Sequence, residues 1–546
     1  MPKIFCHKEC IVLLAILILA SFLRFWQLGK VPTGVTHDEV GYIYNSYSIA
    51  TTGRNVLSEF VPFLTWLNPG GTPFMPVPIY LSVPFFWLFG LSATVGRLPS
   101  ALLGILDVLL VYILVKQIFY KPSLALVSAL FLAISPWHLH FSRTAYDPNF
   151  SLFFYLLGIV IFIYEIRKKR LPIASLISFF LAIFSYRGMN IIFPPIGLVL
   201  LWYGMTVLKI DRRQLVAFLL STIFILSSLF AVITLNGKKY ISEGLGVNNS
   251  HIQEEIDNQI HEAQVPLFIR RFFLNKPTYI ASKLRENYIK AYSPEFLFLY
   301  TEPSKIYSIW SRGRIYFLDL ICIILGIGYL YKINKSGAFF ITSMVLIGGL
   351  PGMVGGLPYS ARNFFLSAFF PILAAGGVSF LLFNFFPKKM RLLIIAMLMV
   401  GYGYLLSSYL FDYYGRYAYY AAESWFKSLK DISRMIVENS QKYNKIIIGT
   451  SSSGDFLQYA FYAKIHPNEA QRAWQKRNTG SNESFVVKNV TFTVACFDNE
   501  KEGVPTFHGS TPLLYIVHEG CVNAASPSAF IRDYYGNVVW KIYDIR

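Results

Sequence analysis

RLPSALLGILDVLLVYILVKQIFYKPSLALVSALFLAISPWHLHFSRTAYDPNFSLFFYLLGIVIFIYEIRKKR, residues 97–170, holds three apolar runs near 99–119, 123–138 and 149–165. A helix needs about 20 apolar residues to cross roughly 30 Å of hydrocarbon, and these runs are of that order. The connections between them differ in kind. Lys116 and Lys121 flank the first, and Arg167-Lys168-Lys169-Arg170 follow the third run. The middle connection has no lysine but gathers two His, one Arg and one Asp in Trp137–Asn149. Basic residues concentrate in cytoplasmic loops, so the middle connection faces outward.

Working outward, the same pattern repeats. Further apolar runs lie at 11–25, 171–186, 191–208, 214–235, 314–331, 338–357, 363–385 and 391–411, which makes eleven expected spans. Lys209/Arg212/Arg213, Lys332/Lys335 and Lys388-Lys389/Arg391 again occupy every second loop. The outward segments are then 27–98, 139–148, 186–190, 236–313, 356–362 and everything after 411. Pro73–Gly90 is apolar enough to span, which with its neighbours would raise the count to 12 or 13. Its four prolines, and the inversion of all later loops, argue for a juxtamembrane or re-entrant element on the outer side.

Composition agrees. Of 546 residues, 54% are hydrophobic, 17% aromatic and only 14% charged, against roughly 25% charged in a soluble domain. Mean hydropathy is +0.47. The net charge of +19 sits mostly in short loops, so it reports topology and not a nucleic-acid partner. Cys6, Cys10, Cys322, Cys496 and Cys521 form no CxxC or Cys/His ligand spacing, which argues against zinc and thiol-redox chemistry.

After 411 the character changes. An amphipathic stretch at 417–439 precedes short β-branched runs: KIIIGT at 445–450, SFVVKNVTFTVACFD at 484–498, TPLLYIVHEG at 511–520 and VVWKIYDIR at 538–546. Residues 1–411 are thus expected to form the membrane domain, and 412–546 a small extracytoplasmic α/β domain. There Cys496 and Cys521 form either a disulfide or two buried thiols.

Polar clusters sit at the outer ends of spans. In Thr36-His37-Asp38-Glu39, two carboxylates open a helical pattern whose dipole favours them; the competing reading makes Asp38 only a cap. His138, His140, Arg143 and Asp147 crowd the second outer loop, where interface anchoring is the alternative. Arg187 and Arg362 stand at outer helix ends with no acid near them in sequence, beside Tyr359 in the latter case. A guanidinium fork suits phosphate, although carbonyl capping or headgroup snorkelling would also explain such an arginine.

These segments resemble glycosyltransferase family 39 in the broad sense, which includes protein O-mannosyltransferases and aminoarabinose transferases. The likeness rests on DEVGY at 38–42, RLPSALLGILDVLLVYILVKQIF at 97–119, AISPWHLHFSRTAYDPN at 133–149, YSPEFLFL at 292–299 and ARNFFLSAFFPILAAGG at 361–377. It covers about residues 10–410. The resemblance implies a polytopic α-helical protein with a C-type glycosyltransferase fold, in a bacterial or archaeal cell membrane, with its active site facing outside. It implies a polyprenyl-phosphate sugar as donor and a protein, lipid or glycan as acceptor. Asp38 takes the role of catalytic base with Glu39 and Asp147 in support. Arg143, Arg187 and Arg362 take the donor phosphate, and His138, His140, Tyr42 and Tyr359 are weaker substrate contacts. No cofactor is required, while a divalent metal (Mg or Mn) on Asp38 and Asp147 remains open. Two family features are missing from the sequence: a WWD motif, and an insertion in 236–313 long enough for a β-trefoil.

The chemistry suits these residues. A lipid-phosphate sugar already has a good leaving group, so one base and positive charge near the phosphate suffice. The rival reading is a transporter or lipid-linked-glycan flippase. Those place ionisable groups near the bilayer midplane and show inverted repeats. Here Asp107 and Asp319 are the main carboxylates within runs, and no repeat is apparent.

Overall fold

The computed structural model describes residues 7–60, 74–235, 249–299, 302, 304–309, 312–354, 360–450, 454–477, 484–493, 512–520 and 526–546. Backbone contacts divide the chain into two units. One comprises Met1–Arg24, Leu102–Ser142 and Asp147–Ser407; the other comprises Phe25–Ala101, Arg143–Tyr146 and Ser408–Arg546. The last division falls between Ser407 and Ser408. The first outer segment, however, groups with the tail and not with the spans that flank it.

Among the described residues six helices are long and apolar enough to cross a membrane: Ala93–Phe119, Asp147–Arg167, Met189–Leu208, Lys335–Val354, Leu366–Phe385 and Lys388–Tyr420. Pro122–Ile134 and Pro136–Ser142, bent by 59°, make a seventh if they count as one broken span. Proline at 136 explains the bend, because its ring forbids a continuous helix. Of the other expected spans, two are shorter helices, with 11 residues in Ile173–Ile183 and 17 in Phe317–Ile333, and two are the helices His7–Phe25 and Arg212–Leu235, of 19 and 24 residues. Pro76–Phe89, the proline-rich element, is a helix of 14 residues. At 1.5 Å per residue it covers about 21 Å, short of a straight crossing.

Within the first unit, small residues let helices approach closely. A Cβ on Gly326 of Phe317–Ile333 would lie 1.8 Å from the Leu373 carbonyl oxygen of Leu366–Phe380. One on Gly377 would lie 1.9 Å from the Cys322 oxygen. Backbone contact of this kind replaces the hydrophobic drive that lipid cannot supply.

The second unit contains a six-stranded mixed sheet with order β2-β3-β1-β4-β6-β5. Its strands are β1 (Lys445–Gly449), β2 (Ser484–Val487), β3 (Val490–Thr493), β4 (Leu513–His518), β5 (Ala529–Arg532) and β6 (Val538–Ile545). β1 runs parallel to both β3 and β4, while β2, β5 and β6 are antiparallel additions. Residues from the first outer segment and from the tail share one hydrophobic core. Val35, Val40, Ile43, Tyr44, Val56 and Phe86 belong to the same buried cluster as Leu429, Ile432, Ile448, Phe456, Trp474 and Ile516. Cys496 and Cys521 lie outside the described residues.

Candidate active site

In the second unit, Thr36 caps the helix His37–Thr52 by accepting a hydrogen bond from the Glu39 amide at 3.2 Å. Thr36 and Glu39 have capping-box spacing, in which the glutamate would normally reach back to the cap. Here Glu39 turns away. Fully buried, it accepts from Arg97 Nε at 3.0 Å and Nη2 at 2.8 Å, and from the Ala145 amide at 2.8 Å. Arg97, also fully buried, spends its other N–H groups on the carbonyls of Leu28, Pro32 and Gly34. All five guanidinium donors are therefore used, and Trp425 lies across the guanidinium at 5.6 Å. Glu39, expected to assist a base or metal, is instead the anchor that ties the loop down. Asp38 next to it is exposed and is not the cap, so the cap reading of Asp38 is displaced by Thr36.

Two other expected contacts in this unit are packing residues. Arg143 is 1% exposed; it donates to the Val31 carbonyl at 3.2 Å and lies over the rings of Tyr413 and Tyr414. Its expected role on phosphate gives way to a role in building the loop. Tyr42 is buried edge-on against Phe74, with its hydroxyl accepting from the Met75 amide. Neighbouring Thr36 and Tyr146 share a hydroxyl hydrogen bond of 2.9 Å.

The first unit holds the other candidates. Asp147 opens the helix Asp147–Arg167, Arg187 precedes Met189–Tyr203, and Arg362 lies in the turn before Leu366–Phe380. All three act on one side chain, the Tyr186 phenol. Burial pushes its hydroxyl above the ordinary tyrosine range; Asp147 pushes the same way, and Arg362 and Arg187 pull it back.

The turn carrying Arg362 is itself held. Glu302 Oε2 accepts from the Ser360 amide at 2.8 Å, from Ser360 Oγ at 2.5 Å and from Arg314 Nη2 at 2.8 Å. Trp137 Nε1 donates to the Ser360 carbonyl at 3.2 Å. His138 is fully buried with both ring nitrogens engaged: Nδ1 accepts from Arg24 at 2.8 Å and Nε2 donates to Asp107 at 3.2 Å. It has no nitrogen left for a substrate, so that expectation is corrected. His140 Nε2 donates to the Ile306 carbonyl at 2.7 Å in a buried setting. Tyr359 lies outside the described residues. Among the described residues no group of three His, Cys, Asp or Glu side chains is arranged as a metal site. Sequence reading missed Arg97, Glu302, Arg314 and Tyr186; Arg97 and Glu302 each have a partner 58 residues away.

Comparison with known proteins adds a partial match to a family model and a likeness of fold. Residues 72–233 match the family model "dolichyl-phosphate-mannose-protein mannosyltransferase". ArnT from Cupriavidus metallidurans, in its apo state, is 12% identical and superposes with a TM-score of 0.55 over 98% of each chain. Its undecaprenyl-phosphate-bound form gives 0.54 over the same share. The oligosaccharyltransferase AglB from Archaeoglobus fulgidus, solved with an inhibitory peptide and a dolichol-phosphate, is 14% identical. It aligns over 84% of this chain at a TM-score of 0.47, too low to carry an argument, and this chain spans 64% of its length. No curated protein matches the sequence.

Proposed function

We propose, from the premise that the chain is a membrane glycosyltransferase, that it moves a sugar from a polyprenyl-phosphate donor to an acceptor hydroxyl on the extracytoplasmic face. The observation that carries this is the match of residues 72–233 to a dolichyl-phosphate-mannose-protein mannosyltransferase model, together with the fold shared with ArnT over 98% of each chain. The undecaprenyl phosphate held by ArnT supports the donor class.

The step balances simply. Asp38 accepts the proton of the acceptor O–H, and the oxygen attacks the anomeric carbon from the face opposite the phosphate. The anomeric C–O bond breaks, its electron pair leaves with the polyprenyl phosphate, and the configuration inverts. Arg187 and Arg362 stabilise the charge gathering on that phosphate, which costs no reorganisation if they are held in advance. Glu302 and Ser360 supply that holding for the Arg362 turn. Glu39 does no proton chemistry, since its oxygens are committed to Arg97 and Ala145.

Turnover and donor binding of Asp38→Asn and Arg362→Lys test this reading with polyprenyl-phosphate mannose as probe. Asp38→Asn should bind donor normally and lose about 10²–10⁴-fold in turnover, the usual worth of a positioned base. Arg362→Lys should lose donor affinity despite keeping its charge, because the fork is gone. Full activity in both would end the assignment.

A further inference from the structure

Residues 412–546 carry none of the motifs that the sequence shares with family 39, yet one of their helices is built against the acidic loop. Gly454–Tyr462 puts Asp455, Gln458 and Tyr462 at spacings of three and four, on one face. That face meets residues 35–37. Tyr462 Oη accepts from the Val35 amide at 2.9 Å, and Gln458 Nε2 donates to the Val35 carbonyl at 3.1 Å. Both backbone polar groups of Val35 are therefore held by this helix. His37 and Asp455 pair at 2.7 Å, Nε2 to Oδ1, with the imidazole against Phe426 at 4.3 Å. Gly454 comes so close that a Cβ there would sit 3.0 Å from the His37 ring. The helix also packs on the sheet, Phe456 stacking on Phe485 at 4.7 Å and Tyr459 tilted against Phe492 at 4.9 Å. The helix is thus clamped on a rigid sheet and grips the residues on either side of the Thr36 cap.

We propose that the tail is a mount for the acidic loop, with Asp455, Gln458 and Tyr462 as positioning residues for Asp38; this rests on Asp38 being the base. They touch the backbone and side chain immediately before Asp38 and act on turnover only through its carboxylate. A misplacement of about 1 Å can cost a reaction up to about 100-fold, so loss of a single hydrogen bond here should cost about tenfold.

The test uses the full chain in lipid nanodiscs, with polyprenyl-phosphate mannose as donor and water as acceptor. Tyr462→Phe removes one oxygen and no volume; Asp455→Asn removes the charge. Each should lower kcat about tenfold at unchanged donor KM, and Asp455→Glu should recover most of the rate. Each should also lose its effect in an Asp38→Asn background, since groups acting through one another are not additive. Hydrogen exchange should speed up at the amides of 33–40 and stay unchanged in β1 and β4. Equal losses in both backgrounds, or unchanged exchange at 33–40, would overturn the positioning assignment. Should Asp455→Asn unfold, Tyr462→Phe carries the same cycle. If Asp38→Asn itself turns over at the wild-type rate, the base reading falls and the mount falls with it. If Asp38→Asn is slow while Tyr462→Phe is normal, the mount alone falls.

Discussion

Replacing Arg97 by methionine keeps most of the volume and removes the charge that satisfies Glu39. The Glu39 carboxylate would retain only the Ala145 amide, in a place with no solvent access. Breaking a buried pair by removing one partner costs about 3–5 kcal/mol, because an uncompensated charge stays behind. The carbonyls of Leu28, Pro32 and Gly34 lose their donors as well. In a domain of 150–250 residues each kcal/mol moves the melting temperature by roughly 2–4 °C, so Arg97→Met should melt about 6–20 °C lower. Tryptophan fluorescence is a suitable assay, because Trp425 lies across the guanidinium. Glu39→Leu should cost a comparable amount by stranding the cation. The double variant should be no worse than either single one, since the stranded charge is then gone. Arg97→Met melting within 1 °C of wild type, or strictly additive losses, would refute the reasoning.

Two further outcomes are expected. Gly377→Val places a branched side chain where even a Cβ meets the Cys322 oxygen, and should separate Phe317–Ile333 from Leu366–Phe380. Detergent melts should show the loss, whereas Gly328→Ala, with open space around it, should be near neutral. Cysteine labelling of intact cells should modify a cysteine placed at Ser304 but not one placed at Lys168. The reverse pattern would put the acidic loop on the cytoplasmic side.

The membrane character was legible because runs of apolar residues need no partner to be recognised. Asp147, Arg187 and Arg362 drew attention for a related reason: a charge at an outer helix end stands out against its apolar surroundings. Arg97 did not. Its partner Glu39 lies 58 residues earlier, beyond the reach of any local pattern. Glu39 was misread because two adjacent carboxylates look equivalent in sequence. On a helix, however, neighbours point about 100° apart, so one faces the core while the other is exposed. His138 failed similarly, since only the fold shows that both its nitrogens are engaged. Glu302 gave no signal at all, because its value depends on Ser360 and Arg314 arriving from elsewhere.

The bond between Val35 and Tyr462 joins residues 427 positions apart. A ribosome adding about 5–20 residues per second needs roughly 20–85 s to make that interval. Throughout that time the segment bearing Asp38 exists without the face that grips it. Its apolar side chains Val35, Val40 and Ile43 wait uncovered for a core that has not yet been made. Chain synthesis therefore works as a timer: a copy terminated just after Tyr420 carries each described helix long enough to span but leaves the acidic turn unsecured.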